Sequence, residues 1–228
     1  MLSSRTSLAA AADLLWPATC AGCGRAATSW CRACAAALAR PPAPTALADG
    51  TPLHAAAAHA GTARSLLLAV KEAGRAEVRP VAAAALAAAL GAARPGGPVV
   101  LVPVPSRAAS RRRRGDDLVA DLAARTAQLR RRGGAPTRVA RVLALRRRVA
   151  DQTDLDADGR RRNLAGALRV LGPPPRGPCV VLDDVVTTTA TAGEAVRALR
   201  HAGADVVAVV CLTCAEATLG EGSQPPGG

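Results

Sequence analysis

The fold of this chain is decided by residues 180–194, which read VVLDDVVTTTATAGE. The stretch begins with an apolar run typical of a buried strand and then places two carboxylates, Asp183 and Asp184, side by side. Small hydroxyl residues follow, and a helical pattern runs over residues 195–201. Such a turn presents unpaired backbone N–H groups, which bind a phosphate together with the positive end of the helix. We therefore predict a strand, a phosphate-binding turn and a helix in succession.

The acidic pair indicates which phosphate-bearing molecule the turn would bind. Asp183 and Asp184 can accept hydrogen bonds from vicinal ribose hydroxyls, directly or through a Mg²⁺ shell. A buried strand that ends in an ordinary helix cap is the alternative, but it requires neither the two acids nor the run of hydroxyl residues. The pattern favours a phosphorylated ribose over a plain nucleotide.

The same stretch resembles the phosphoribosyl-pyrophosphate (PRPP) loop of type I phosphoribosyltransferases, where a strand, two acids and two apolar residues precede Thr-Thr-Gly. The resemblance implies that PRPP contacts both acids and the turn residues Thr187, Thr188, Thr189, Ala190 and Thr191. Thr189 stands where that family usually has glycine. If the position needs a positive φ, a β-branched residue there costs about 1 kcal/mol or more, and turnover of PRPP would suffer.

Four cysteines near the N-terminus form two Cys-x2-Cys pairs separated by seven residues, namely Cys20, Cys23, Cys31 and Cys34. Four thiolates at this spacing can close a tetrahedral zinc site. Two disulfides are the alternative, which a cytoplasmic location disfavours. Because no histidine or carboxylate accompanies the cysteines, we expect one structural zinc ion that holds together a segment too small to fold alone.

The composition and the apolar patterning bound the remaining function classes. The formal net charge is +13, which fits either a polyanionic partner or an arginine-rich solvated surface. The longest apolar run, residues 81–90, is about half of the roughly 20 residues that a membrane span requires. No N-terminal cleavage site is convincing, so we expect a cytoplasmic protein.

Strand patterns that alternate with helix patterns predict how the chain is divided into domains. A zinc ribbon over residues 1–40 and a Pro-rich linker over 41–52 precede an α/β domain over 53–214, and residues 215–228 form a disordered tail. The predicted strands are 53–60, 98–105, 138–145, the strand that begins at 180, and 205–212; the predicted helices before the phosphate turn are 61–70, 78–92 and 116–132. We expect a parallel sheet flanked by helices. His59 is assigned to a strand surface, and Cys211 and Cys214 to opposite faces of the last strand as buried, inert thiols.

Basic residues accompany the predicted carboxyl edge of this sheet. Arg107 and Arg114 follow the strand over 98–105, where they could bind a pyrophosphate. For the arginines between them, residues 111–113, a solvated basic face at the helix start is the alternative. The polar segment 146–163 is long for a connection, which predicts either a lid over the site or a mobile surface excursion.

Taken in order, these pieces are similar to the ComF family over roughly residues 8–214. They are a Leu-Leu-Trp-Pro lead-in, the cysteine ribbon, Lys71 with Gly74, a Val-Pro-Val-Pro strand end, Arg114-Gly115, Gln152, the Arg162-Asn163-Leu-x-Gly segment and the PRPP loop. Lys71, the only lysine, and Asn163, the only asparagine, fall at positions that the family favours. Asp116 stands where many relatives have an aromatic residue, and a second pair of cysteine knuckles is absent.

The resemblance implies a type I phosphoribosyltransferase-like fold and two alternative functions. In the first, Mg²⁺-PRPP binds with its pyrophosphate near Arg107 and Lys71, and the phosphoribosyl group passes to an acceptor. In the second, the chain is a non-catalytic competence module that binds single-stranded DNA or competence proteins. Arg114, Gln152, Arg162 and Asn163 would serve as lid residues in the first function or as contacts with DNA in the second.

Overall fold

The computed structural model describes residues 18–94, 96–106, 115–146, 166–216 and 218. Strands in this part of the chain are β1 (Thr45–Ala46), β2 (Pro52–Ala58), β3 (Val99–Pro103), β4 (Thr137–Val139), β5 (Leu143–Leu145), β6 (Leu168–Val170), β7 (Cys179–Val186) and β8 (Val206–Cys214). Helices are α1 (Arg32–Leu38), α2 (Gly61–Lys71), α3 (Arg79–Ala93), α4 (Leu118–Arg132) and α5 (Ala190–His201), and a 3-10 turn, Ala76–Val78, precedes α3.

Six of these strands form one mostly parallel sheet, in the order β1-β2-β8-β7-β3-β4. Only β1 runs antiparallel to its neighbour, β2, among the paired strands of this sheet. The interior strands β7 and β8 are rich in valine and almost wholly buried, because helices cover the sheet on both faces. The prediction of an α/β fold with a mostly parallel sheet flanked by helices is confirmed.

The order in which successive strands are added to the sheet reverses between the neighbouring parallel strands β3 and β7. From β3 it passes through α4 to β4 on one side, whereas from β7 it passes through α5 to β8 on the other. Accordingly, α2, α3 and α4 pack in the core on one face, while α5 packs in the core on the other face. Ligands of open α/β sheets bind at the carboxyl ends of strands beside such a switch point.

The apolar helix α3 packs against the sheet. Pro80 lies in its first turn, where the missing N–H costs no hydrogen bond, and Leu86 and Leu90 are fully buried one turn apart. Within the described residues, one segment, Ala76–Ala93, is long and apolar enough to cross a membrane by length and composition. This is weak evidence for a span, since core helices meet the same criterion.

The predicted strand over residues 138–145 is wrong, because the structure divides it. The β4 part lies at the edge of the main sheet, whereas β5 pairs antiparallel with β6 in a separate two-stranded ribbon. This ribbon packs on the α5 side, where Leu143 and Leu168 are buried. The Glu194 carboxylate of α5 accepts a hydrogen bond from the Leu168 N–H at 3.1 Å. The apolar alternation of the sequence runs on through the break, so it does not reveal where the chain leaves the sheet.

Candidate functional site

Asp183 and Asp184 lie near the carboxyl end of β7, in the interior of the sheet, and both are buried. One Asp183 carboxylate oxygen accepts the backbone N–H of Asp184 at 2.8 Å. Burial and then the charge of Asp184 raise the pKa of Asp183 well above its ordinary value. The structure thus places two carboxyl groups, that of Asp183 with a raised pKa, near the carboxyl end of β7, where carboxyl oxygens can bond hydroxyl groups.

Lys71, at the end of α2, contacts this acidic pair from a neighbouring helix. Its Nζ atom lies 3.1 Å from one carboxylate oxygen of Asp184 and 3.3 Å from the other. Its side chain is 30% exposed and that of Asp184 9%, so the ammonium group faces solvent while the carboxylate lies beneath it. The structure therefore brings Lys71 together with Asp184 of the acidic pair.

The turn after β7 leads directly into α5, whose N-terminus has no side-chain cap among the described residues. Thr187 is exposed, and Thr188, Thr189, Ala190 and Thr191 are half-buried. Helices expose unpaired N–H groups in their first turn, and an uncapped, accessible first turn is suited to an anion. The helix begins at Ala190, five residues before the pattern that predicted it.

Thr189 does not adopt a left-handed backbone conformation. Its φ is −71° and its ψ is −3°, which any residue can adopt, and its carbonyl accepts the Gly193 N–H at 2.7 Å. Ala27 is the only non-glycine residue with positive φ in the part of the chain that the structure describes. The steric cost predicted for a β-branched residue at this position therefore does not arise.

His59, which the sequence analysis assigned to a strand surface, lies at the same edge of the sheet. It follows the end of β2, and its backbone N–H donates to the Cys214 carbonyl at 2.7 Å. Its ring Nδ1 lies 3.0 Å from Oγ1 of Thr213 on β8. Burial and then the charges of Arg64 and Lys71 lower the pKa of His59. His59 is the first residue after the parallel strand β2, and this position in the sequence could have predicted that it lies at the carboxyl edge of the sheet.

The end of β8, beside the acidic pair, carries two buried thiols. Cys211 pairs with Asp183 across the strands, and Cys211 and Cys214 are fully buried in one core cluster. A hydrogen bond between the thiols raises the pKa of Cys211, with burial adding to it, and lowers the pKa of Cys214. Burial of these cysteines is confirmed, but their placement on opposite faces is wrong, because the end of β8 departs from strict alternation.

The remaining predicted site residues, Arg107, Arg114, Gln152, Arg162 and Asn163, lie outside the described residues. Ser106, the last described residue before Arg107, is hydrogen-bonded to the start of α4. Ser106 donates a hydrogen bond to a carboxylate oxygen of Asp117 at 3.0 Å, and the same oxygen caps α4 by accepting the Ala120 N–H at 3.4 Å. The described part of the β3 edge thus ends beside the start of α4.

The four cysteines of the predicted ribbon lie together as free thiols, with all Sγ atoms within 4.8 Å of one another. Cys20 and Cys34 are 3.7 Å apart, as are Cys23 and Cys31. A tetrahedral zinc ion with Zn–S bonds of about 2.3 Å has sulfur–sulfur edges of about 3.8 Å, whereas a disulfide requires about 2.05 Å. The prediction that these four cysteines lie together is confirmed; they could bind one metal ion, and the geometry is consistent with structural zinc.

The surroundings of the cysteines favour the thiolate form of Cys20 but oppose that of Cys34. The Cys31 N–H donates to Cys20 Sγ at 3.3 Å. Burial opposes ionisation of Cys20, but the backbone N–H groups around it lower its pKa to about 6, whereas burial raises the pKa of Cys34 to about 12. A Cβ atom on Gly22 would lie 2.6 Å from Cys34 Sγ, so only glycine fits there.

The knuckle packs directly on α2. An Arg75 Nη2 atom donates to the Thr19 carbonyl at 2.6 Å, and a Cβ on Gly22 would approach Thr62 within 3.0 Å. Trp30 packs against both the cysteine cluster and the main core. The metal site therefore supports the helix that ends at Lys71.

Comparison with known proteins adds no relative. No protein-family profile matches the chain, and no curated protein matches it. The fold and sites define an α/β protein with a mostly parallel six-stranded sheet and a cluster of four cysteines that could bind one metal ion.

Proposed function

We propose that this chain is a ComF-like phosphoribosyltransferase-family protein that binds Mg²⁺-PRPP and transfers its phosphoribosyl group to an acceptor. One observation carries the proposal: two buried carboxyl groups lie near the end of the interior strand β7, and α5, with no side-chain cap, begins after a turn of three residues. The carboxyl groups suit vicinal hydroxyls and the helix N-terminus suits a phosphate, and 5-phosphoribose carries both of these groups.

Each part of PRPP has a matching group at this edge of the sheet. The 5′-phosphate would accept hydrogen bonds from the turn Thr187–Thr191, and the ribose hydroxyls would bond Asp183 and Asp184. The pyrophosphate would lie toward Lys71 and the segment that carries Arg107. Mg²⁺ prefers carboxylate and phosphate oxygens, which the acidic pair and PRPP supply, and it would neutralise charge on the leaving pyrophosphate.

The transfer would rest on positioning and charge stabilisation. The bond between ribose C1 and the pyrophosphate oxygen breaks, the pyrophosphate leaves with the electron pair, and the acceptor forms the new bond to C1. Ribose hydroxyls that donate to Asp184 would weaken its pairing with Lys71 and turn the ammonium toward the developing negative charge.

Calorimetric titration of Mg²⁺-PRPP into zinc-loaded protein tests this proposal. Asp184→Asn removes one charge from the diol site, and we expect its affinity for PRPP to fall about ten-fold or more. Asp205→Asn is the matched control, because Asp205 is exposed before the start of β8, at the opposite edge of the sheet. Equal affinities of both variants and the unmodified protein would overturn the assignment.

A second candidate function is supported by the net charge of +13. In that case the basic surface would bind single-stranded DNA or a competence protein without catalysis. The chain has no Phe or Tyr on which bases could stack, so binding would rest on phosphate contacts and fall steeply with salt. Oligonucleotide affinity measured between low and physiological salt tests it; affinity that does not change with salt would exclude it.

A further inference from the structure

The chain that follows β8 is hydrogen-bonded to the turn between β7 and α5. The Ala215 N–H donates to the Val186 carbonyl at 2.9 Å, which continues the bonding of the two strands past the end of β8. Thr218 then donates its hydroxyl to the Thr187 carbonyl, with 3.2 Å between the two oxygen atoms. The carbonyl groups of two consecutive residues are therefore bonded to residues that follow β8.

Thr218 is a buried residue that bonds an exposed one. It is 6% exposed, whereas Thr187, whose carbonyl it contacts, is exposed. The backbone N–H of Thr218 donates to the Ala215 carbonyl at 3.1 Å, so both its backbone and its side chain are held. A buried hydroxyl group without a partner is costly. The Thr187 carbonyl supplies this partner and is itself held toward the residues that follow β8.

The direction of the Thr187 carbonyl decides where the next N–H group points. The peptide group between Thr187 and Thr188 is trans, as are all described peptide bonds, so its carbonyl and its N–H point in opposite directions. Because the carbonyl is bonded to Thr218, the Thr188 N–H points away from that residue. This N–H donates to no residue in the described part of the chain. A backbone donor without a protein partner bonds either water or a ligand.

We propose that Thr218 is a positioning residue for the phosphate turn. Its hydroxyl fixes the Thr187 carbonyl and thereby directs the Thr188 N–H to a bound phosphate, where this donor joins the first N–H groups of α5. Without the hydroxyl, the peptide group can rotate, and the ligand must order it on binding, which lowers affinity. This role rests on the proposed function, in which the bound group is the 5′-phosphate of PRPP.

The first test removes the hydroxyl and keeps the shape of the side chain. Mg²⁺-PRPP is titrated calorimetrically into zinc-loaded Thr218→Val, and we expect its affinity to fall about ten-fold. Thr218→Ser keeps the hydroxyl and should bind PRPP as the unmodified protein does. Thr126→Val is the matched control, because Thr126 is also buried and its hydroxyl donates to the Ala83 carbonyl at 3.4 Å. It should keep the full affinity for PRPP.

The second test follows the Thr188 amide proton by nuclear magnetic resonance while inorganic phosphate is added to isotope-labelled, zinc-loaded protein. A hydrogen bond from this N–H to phosphate should shift its resonance downfield in the unmodified protein, in Thr218→Ser and in Thr126→Val. The shift should be lost in Thr218→Val. A general loss of stability would not produce this pattern, because Thr126→Val removes a buried hydroxyl bond as well.

The two probes separate the role of Thr218 from the proposed function. An equal Thr188 shift in Thr218→Val, or no Thr188 shift in the unmodified protein, would overturn the role of Thr218. A PRPP affinity that Thr218→Val leaves unchanged would also overturn it, although the proposed function would stand. If phosphate shifts the Thr188 resonance only where the hydroxyl is present, but the unmodified protein does not bind Mg²⁺-PRPP, the proposed function fails and Thr218 still positions the turn.

Discussion

The Nζ atom of Lys71 lies 3.1 Å from a carboxylate oxygen of Asp184, and this ion pair joins the end of α2 to the interior strand β7. The residues just after this helix are joined to the four-cysteine segment by the hydrogen bond from Arg75 to the Thr19 carbonyl. Lys71 therefore connects the metal site, which supports its helix, with the acidic pair, which its ammonium group contacts. The ion pair and the contact with the cysteine segment can be removed independently, so we make a separate prediction for each.

Lys71→Met should destabilise the protein because it leaves the buried Asp184 carboxylate without its cation. The side chain of Lys71 is 30% exposed, so we expect a loss of about 1–2 kcal/mol, between the values for exposed and buried pairs. Urea unfolding of zinc-loaded protein measures it. The double variant Lys71→Met/Asp184→Asn should recover part of the loss; strictly additive effects would contradict a direct interaction.

Asp183 should make the free energy of unfolding fall as pH rises. The unfolded chain releases the proton of this carboxyl group near its ordinary pKa of 3.8, whereas the folded protein keeps the proton to higher pH. Between these two pKa values the folded state binds more protons, so stability decreases with rising pH. Asp183→Asn, which resembles the neutral acid, should therefore gain stability relative to the unmodified protein from pH 4 upward.

The measurement is urea unfolding at several pH values above about 4, with the difference between variant and unmodified protein plotted against pH. That difference cancels groups such as Glu194, whose lowered pKa gives the opposite slope. Asp205→Asn, at the other edge of the sheet, is measured in the same way as the control. A flat difference for Asp183→Asn would show that its pKa is not raised by burial.

The sequence predicts those parts of the site that depend on short-range order. The strand, the acidic pair and the hydroxyl turn follow from consecutive residues. The four-cysteine site follows from spacing, because two Cys-x2-Cys pairs need only one short connection to meet. Lys71 is singled out by composition and by the resemblance, and the structure places it on Asp184.

Other parts depend on contacts between residues distant in the chain, which local patterns do not encode. His59 reaches the site only because β2 and β8 are neighbours, and Thr213 is 154 residues away from it. The break between β4 and β5 is fixed by the partner strand β6 and by the Glu194 contact with Leu168. The backbone conformation of Thr189 follows from the start of α5 at Ala190. A run of threonine and alanine does not indicate that a helix begins there.

Gly22→Ala should prevent tetrahedral metal binding, because the added Cβ would lie 2.6 Å from Cys34 Sγ. Cobalt titration measures this through the sulfur-to-metal charge-transfer absorption of a four-thiolate site, with one ion per chain expected for the unmodified protein. Gly193→Ala is the control, since nothing lies within 4 Å of a Cβ at that helical position. An unchanged cobalt spectrum for Gly22→Ala would contradict the packing of the knuckle.

Removing the metal should loosen α2 more than α4. The four-cysteine segment approaches α2 where Gly22 meets Thr62, and it bonds the residues just after α2 through Thr19 and Arg75. In contrast, α4 packs on α3 and the β3 side of the sheet. Hydrogen exchange after chelation should therefore increase in Gly61–Lys71 before it increases in Leu118–Arg132. Equal increases in both helices would mean that the metal stabilises the domain only as a whole.

Thr189→Gly should bring no gain in PRPP affinity. Thr189 has a φ of −71°, so glycine relieves no strain there, and its added freedom in the unfolded chain costs stability by at most about 1 kcal/mol. Calorimetric titration of Mg²⁺-PRPP and urea unfolding of the same protein measure both effects. Thr187→Gly, one residue beyond β7, provides a matched control for the lost side chain. An affinity that rises several-fold in Thr189→Gly alone would mean that the ligand-bound turn needs the left-handed conformation absent from this structure.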